Sequence, residues 1–545
     1  MAPLPRHIRN PAVVLPALVI LAAAFNLTKA VHIDDTAYLD TARWIVGHPL
    51  SPLSGILHWE EVGEPAYVQL NQPPLHTYLL AGVMWVFGES ELALHAYMAV
   101  MSALAILLFH QIAGRLVPRY SLLLTTLLVT SPAFLPGQNL MTDVPTLVAW
   151  LVCMKAVLRA GTTQGSFRWY AIAGASIAAA CLTKYGSLSL IPLLFFSVVY
   201  RRHWRALWAV GIPIAALVLW SMWNYLDYGG VHLFGRLNRV NRLGPMDLWF
   251  RSIAWVGCAG LAVPAGVLLF ATSKGTGFPR VVLGIGFSAA IMAFLAGRNA
   301  PPHEIQSAVL WAFFIWVGVT TLMAASMTIA REFRSTSKRD RDEAVVLALW
   351  VGAAAGLIVL APMMAMRHLL PLTPALLLLA GKAIGQLPTR RAMLASAAAV
   401  TGALGVTIAA ADYAYADVYR RQPEVIARTL SAQVPRTWVV GHWGWQWYAG
   451  RQGWVVYDKL TSDVRTGDLI ITATNVIPQE IRPEDRARMH ALAYHRVPPS
   501  GLTYLRTFRT NPWGGYYTSP GPGGAFPMSY STGIVETFIV FRVVR

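Results

Sequence analysis

Four sets of ionisable side chains stand where apolar runs of the chain end. Asp34 and Asp35 follow the first run, in His32-Ile33-Asp34-Asp35. Asp143 heads another, in Met141-Thr142-Asp143-Val144-Pro145. Lys184 interrupts a third, in Leu182-Thr183-Lys184-Tyr185-Gly186, and Arg367-His368 separates two long ones. A carboxylate beside a hydroxyl can take its proton, and lysine or arginine can hold charge that develops on a phosphate. Taken singly, each has a plain structural reading: Asp143 as a helix cap ahead of Pro145, Arg367 as an anchor at a membrane surface. Ionisable groups at membrane depth are nevertheless expensive and functional by default. Gathered at one level, these acids and bases make a site for an anionic substrate with an acid–base task.

The elements that must position them are membrane helices. Of 545 residues, 55% are hydrophobic and 13% charged, and the mean hydropathy is +0.48. This excludes a soluble globular enzyme, a disordered chain and a fibrous one. A helix needs roughly 20 apolar residues to cross the bilayer core. Residues 121–142, 206–226, 307–330, 344–366 and 392–411 meet that length without an Asp, Glu, Lys or Arg, and 11–30, 92–114, 252–272, 281–297 and 369–387 nearly do. Residues 144–158 form a shorter run, and Lys184 and Gly186 break 169–200 into two short helices. The sum is a mainly α, polytopic protein of about 13 spans. Residues 75–87 are apolar but too short to cross, so they are placed as an interfacial helix. The first run is long for a signal peptide and is read as a retained helix. The sequon Asn26-Leu27-Thr28 lies at the membrane and carries no weight.

Lys plus Arg number 44 and Asp plus Glu 26, a balance of +18. With the N-terminus inside, one side collects Arg6, Arg9, Arg115, Arg119, Arg159, Arg168, Arg201, Arg202, Arg205, Lys274, Arg280, the run between Arg331 and Arg341, Arg390 and Arg391. The excess is therefore a topology signal and not a nucleic-acid footprint. Cys153, Cys181 and Cys258 lie inside apolar runs, which excludes a disulfide framework and a zinc spacing.

Three segments lie on the other side. Residues 32–91 carry the acidic pair, an amphipathic stretch over 36–47 and Asn71-Gln72-Pro73-Pro74-Leu75-His76. Residues 227–248 carry His232, Arg236, Arg239 and Arg242, basic residues against the topology rule, which points to a ligand. The tail, 412–545, changes composition abruptly and reads as a small external α/β domain. Its candidate strands are 438–441, 454–457, 469–473, 503–508 and 537–543, after a helical piece around 423–433. Its Gly- and aromatic-rich stretch 511–531 and His442-Trp443-Gly444-Trp445 read as packing in turns ahead of a sugar site.

The order Asp-Asp after the first span, Gln-Pro-Pro-Leu-His, Met-Thr-Asp-Val-Pro, Leu-Thr-Lys-Tyr-Gly and Arg-His-Leu-Leu-Pro-Leu-Thr-Pro resembles the GT-C class of integral-membrane glycosyltransferases. Within it the chain is similar to the bacterial protein O-mannosyltransferase and lipid A aminoarabinose transferase family, over roughly residues 10–410. The resemblance implies a GT-C membrane domain over 1–411 and an extracytoplasmic domain over 412–545. It implies Asp34 as catalytic base, Asp35 in a supporting or metal-related role, and Asp143 as the second-loop acid. It further implies Lys184, Arg242, Arg239 and Arg367 as donor-phosphate contacts, with His76, His368 and Tyr38 as acceptor or sugar contacts. No cofactor is certain; a divalent metal stays open. The aminoarabinose-transferase type has Glu-Lys-Pro where this chain has Asn71-Gln72-Pro73, so a metal-binding Glu and a phosphate-binding Lys are absent there.

The activity so implied is transfer of one sugar from a polyprenyl-phosphate donor to a lipid, polysaccharide or protein acceptor. It would take place on the outer face of a bacterial inner membrane, with the N-terminus cytoplasmic and the tail periplasmic or extracellular. A single displacement inverts the anomeric centre, and no nucleic acid is involved. An oligosaccharide ligase or oligosaccharyltransferase of like architecture is the near alternative. A transporter or lipid flippase and a non-catalytic sugar-binding protein are the distant ones.

Overall fold

The computed structural model describes residues 10–161, 167–240, 244–270, 302–361, 363–384, 391–430, 436–476, 479–510, 513–518 and 528–545. Among them, five helices are long and apolar enough to cross a membrane: Glu91–Leu116, Trp204–Tyr228, Val309–Phe333, Lys338–Leu360 and Arg391–Thr429. Shorter apolar helices are Pro11–Asn26, Leu75–Phe87, Tyr185–Tyr200 and Thr373–Ile384. The apolar run at 281–297 lies outside the described residues.

The expected break at Lys184 is present. The helix Phe167–Thr183 stops there, a 3-10 turn covers Tyr185–Ser189, and a new helix covers Leu190–Tyr200. The short helix Leu75–Phe87 forms with the bounds read from its hydropathy.

The run 121–142 is corrected. Only Ser121–Val129 is helical. Pro132 and Pro136 lack the amide protons a helix needs, and Gly137 follows. The freed carbonyls are buried, and side chains satisfy them instead. Asn26 donates to the Leu135 oxygen at 3.3 Å, Lys29 to that of Pro136 at 3.2 Å and Tyr516 to that of Ala133 at 3.2 Å. Irregular backbone at membrane depth is tolerated where protein covers it in this way. The irregular segment carries Leu140, Met141 and Thr142 to the start of the helix Asp143–Ala160.

Several of the charges expected on the inner side pair with acidic side chains of neighbouring helices. Arg201 meets Asp342 at 2.9 Å, and Lys382 meets Glu332 at 3.2 Å and Glu343 at 2.8 Å. Arg339 meets Glu343 at 2.9 Å and donates to the Arg115 oxygen at 3.1 Å. Elsewhere two helices pack backbone to backbone. A Cβ on Gly318 would lie 1.9 Å from the Val256 oxygen, and one on Gly260 would lie 2.0 Å from that of Phe314.

The helix expected to end at 411 continues as Arg391–Thr429, into the tail. Beyond it stands a five-stranded sheet in the order Val455–Val456, Thr437–Val440, Leu469–Ala473, Glu536–Val543, Met489–Val497. The first three strands are parallel, and Glu536–Val543 runs antiparallel to both its neighbours. Met489–Val497 is the strand the sequence reading lacked; its nine residues alternate half-buried and exposed, with His490, His495 and Arg496 among them. Residues 503–508 divide instead into a 3-10 turn, Gly501–Tyr504, and two short strands, Leu505–Arg506 and Phe508–Thr510. The segment after Gly441 forms a helix, Trp443–Gly450, with seven of its eight residues buried, so its aromatics are packing.

Candidate functional site

Asp34 occupies the turn between the helices Pro11–Asn26 and Asp35–Gly47. Asp143 is the first residue of its helix, where the unpaired amides of the N-terminus favour a carboxylate. Lys184 is the single extended residue between two helical segments. Gly186 allows that break to pack closely, because a Cβ there would lie 2.5 Å from Leu357. Arg367 and His368 lie on the 3-10 turn Met366–Leu369.

These elements turn their side chains into one half-open cavity. Its walls include Asp34, Tyr38, Asp143, Lys184, Arg367 and His368. The charges pair across it. Arg367 Nη2 lies 2.7 Å from Asp34 Oδ2, and Lys184 Nζ lies 2.5 Å from Asp143 Oδ1. Burial raises the carboxyl of Asp143, but Lys184 and Arg367 outweigh it and hold the group below the usual carboxylate range. Burial, with Lys184 and Arg367 alongside, pushes the His368 imidazole well below its usual value, so it is neutral.

The roof was not read from the sequence. Trp59, Gln69, Asn71 and Gln72 close the cavity from the first external segment. Gln72 accepts the amide proton of Tyr185 at 3.2 Å and so anchors the turn beside Lys184. Arg236 donates to Asn71 at 3.2 Å and to the backbone oxygens of Tyr67, at 3.0 Å, and Val68. His232 contacts the Leu70 oxygen at 2.9 Å and the Tyr185 hydroxyl at 2.9 Å. These two basic residues thus brace the roof loop. The only signal for this was their position against the topology rule. Arg239 lies in the helix His232–Val240, and Arg242 lies outside the described residues.

Two expected site residues stand behind the wall. His76 is fully buried, with Nε2 2.9 Å from the Leu140 oxygen and Nδ1 3.4 Å from the Tyr97 hydroxyl. It braces the irregular segment against the helix Leu75–Phe87. Asp35 is fully buried and accepts the His32 amide proton at 3.0 Å; burial pushes its carboxyl up to about 8. Among the described residues no group of three or more His, Cys, Asp or Glu side chains is placed to hold a metal ion. Asp34 and Asp143 each already face a cation. Among the described residues the site's side chains do not fit a metal centre, and no step below uses one.

Residues 71–225 match the model of the dolichyl-phosphate-mannose-protein mannosyltransferase family. Over this segment, which carries Gln72, Asp143 and Lys184, the chain is similar to that family, in line with the resemblance its motifs show. Among solved structures the chain is similar to the S. cerevisiae protein O-mannosyltransferase Pmt1-Pmt2 complex, bound to the sugar donor. The identity is 12%, over 40% of this chain and 34% of that one, with a TM-score of 0.31. It thus spans about a third of the length of that relative. It is also similar to ArnT from Cupriavidus metallidurans, bound to undecaprenyl phosphate, at 14% identity over 88% of this chain and 96% of that one, TM-score 0.38. The archaeal oligosaccharyltransferase AglB from Archaeoglobus fulgidus, in complex with an inhibitory peptide and a dolichol-phosphate, follows at 13% identity. That match covers 85% of this chain and 69% of the other, with a TM-score of 0.45. No curated protein matches the chain.

Proposed function

We propose that this protein is a multi-pass membrane glycosyltransferase that moves one sugar from a polyprenyl-phosphate donor to an acceptor hydroxyl on the outer face. One observation carries this reading. Two carboxylates and two cations, from four separate elements, line a single cavity and pair at 2.7 and 2.5 Å. The family match over 71–225 supports a sugar carried on a lipid phosphate.

The steps follow from the side chains. Lys184 and Arg367 hold the donor phosphodiester. The acceptor oxygen attacks the anomeric carbon as its proton passes to Asp34. The bond from that carbon to the phosphate oxygen breaks, and polyprenyl phosphate leaves with the electron pair. Its added negative charge develops between the two cations, which are already in place to stabilise it. Phosphate is already a good leaving group, so no general acid is needed. One displacement inverts the anomeric centre. Tyr38 and His368 contact the sugar or acceptor. Residues 1–411 form the catalytic membrane part and 412–545 the outer-face part, with the helix Arg391–Thr429 shared between them. The enzyme sits in a bacterial inner membrane with its N-terminus cytoplasmic.

The test is turnover by the purified full-length protein in lipid nanodiscs. A panel of polyprenyl-phosphate sugars is supplied with hydroxyl acceptors, and release of polyprenyl phosphate is followed. Release from at least one donor, abolished in Asp34→Asn, is expected. Undiminished transfer by Asp34→Asn overturns the assignment of the base.

A further inference from the structure

Behind the cavity wall lies a second group of buried charges that the mechanism above does not use. Lys29, just past the first helix, is 1% exposed, and Asp412, inside the long helix Arg391–Thr429, is 0% exposed. Their ion pair is 2.5 Å long. Lys29 also donates to Asn139 at 2.6 Å. From the tail, Thr507 donates to Asp412 at 2.6 Å, and Tyr517 donates to the same carboxylate. The turn after the first helix, the long helix and the tail therefore meet at one carboxylate, and Asn139 joins through Lys29. A buried pair of this kind costs desolvation and is weak evidence for stability as such.

Its position relative to Asp34 gives it a different meaning. The His32 ring stands edge-on between Tyr415 of the long helix and Tyr517 of the tail, at 5.7 and 5.2 Å between centroids. Its Nε2 lies 3.5 Å from Asp412. The His32 backbone is tied on both sides to Asp35, its amide to the carboxylate at 3.0 Å and its oxygen to the amide of Asp35 at 3.1 Å. Between them Ile33 has φ +47°, a left-handed conformation that a β-branched side chain resists. Such a residue keeps that conformation only where its surroundings hold it from both sides. Lys29 and Asp412 hold one side, and the helix starting at Asp35 holds the other. Asp34 is the next residue in the chain.

We propose that Lys29, Asp412 and Tyr517 are positioning residues for Asp34: they clamp the 29–33 turn, keep Ile33 left-handed, and so aim the Asp34 carboxylate into the cavity. The proposal rests on the function assigned above. It also gives the tail a part in the reaction, because Tyr517 comes from it. The donor-phosphate cations Lys184 and Arg367 lie on other elements, and Arg367 is linked to the clamp through Asp34.

The test uses the full-length protein in nanodiscs, with Asp412→Asn, Lys29→Met, Lys29→Arg and Tyr517→Phe. Two quantities are read: steady-state turnover of a polyprenyl-phosphate sugar, and the affinity for polyprenyl phosphate alone. A misaimed base lowers kcat, and a displacement of about 1 Å is worth on the order of a hundredfold. Asp412→Asn and Lys29→Met are therefore expected to lose at least about tenfold in kcat, with KM and polyprenyl-phosphate affinity within about twofold. Lys29→Arg is expected to restore most of kcat, and Tyr517→Phe to lose less than Asp412→Asn. If kcat is unchanged while thermal stability falls, the cluster is only a staple for the tail, and the proposal is overturned. Loss of polyprenyl-phosphate affinity in step with kcat overturns it as well. Should Asp412→Asn fail to fold, the near-isosteric Tyr517→Phe decides between these outcomes. A wild-type protein that binds polyprenyl phosphate but turns over no donor removes the glycosyltransferase reading, and the clamp with it; a wild type that turns over while Asp412→Asn and Lys29→Met keep full kcat removes the clamp alone.

Discussion

Arg367 Nη2 lies 2.7 Å from Asp34 Oδ2, across 333 residues of chain. The carboxylate assigned to take the acceptor proton is thus neutralised by the cation assigned to hold the donor phosphate. An arriving phosphodiester competes for Arg367 and loosens its grip on Asp34, so the carboxylate is released to meet the acceptor as the donor seats. Before that, the paired carboxylate is poorly placed to activate water.

Replacing Arg367 therefore has two opposed effects. Arg367→Ala is expected to weaken polyprenyl-phosphate binding by about tenfold or more, since a charge-assisted contact is worth about 1.5–3 kcal/mol. It is also expected to raise donor hydrolysis relative to transfer, because Asp34 is no longer held. Equilibrium binding in nanodiscs and the ratio of free sugar to transferred sugar check the two parts. A variant with unchanged binding removes Arg367 from the phosphate site.

Lys184 and Asp143 form a buried pair, so loss of one partner leaves the other charge stranded. Lys184→Met is expected to destabilise the fold by about 3–5 kcal/mol. Adding Asp143→Asn removes the stranded charge and is expected to recover much of that loss. Thermal unfolding of the two single variants and the double variant gives the coupling directly. Additive losses would show that the two residues do not act as a pair.

Asp35 gives a pH dependence of definite sign. Burial raises its carboxyl from the ordinary 3.8 to about 8. The folded state then holds that proton more tightly than the unfolded state does. Its contribution is complete below the unfolded value and is lost as pH rises toward the folded one. Asp35→Asn cannot ionise, so its stability relative to wild type is expected to increase from pH 4 to about pH 8 and to level off above. Each unit of such a shift corresponds to about 1.4 kcal/mol. Melting curves across that range test this, and a variant that loses ground as pH rises contradicts it.

Gly318 and Gly260 let the helices Pro245–Ala262 and Pro302–Phe333 touch through their backbones. Small residues are what such membrane contacts require. Gly318→Ala places a methyl group against the Val256 oxygen and is expected to cost about 1–3 kcal/mol, read as a lower unfolding temperature. Gly402, with nothing within 4 Å of its would-be Cβ, is the matched control, and Gly402→Ala is expected to be neutral or slightly stabilising.

Much of this protein is written locally. Hydropathy is a sum over neighbours in sequence, so the apolar runs, the break at Lys184 and the short helix Leu75–Phe87 can be read from 545 letters. The rarity of charge at membrane depth marks Asp34, Asp143, Lys184 and Arg367 in the same way. Which charge faces which is different, because an ion pair depends on where separate helices come to rest. Only the packed structure pairs Asp34 with Arg367, withdraws His76 and Asp35 behind the wall, and roofs the cavity with Gln72 and Trp59. Hydropathy also cannot tell a helix from an irregular buried segment. Both are apolar, and the course of residues 130–142 was decided by prolines, with the carbonyls of Leu135, Pro136 and Ala133 finding partners in Asn26, Lys29 and Tyr516. The strand Met489–Val497 escaped for a related reason: it is exposed on one face and carries little of the apolar signal by which strands are recognised.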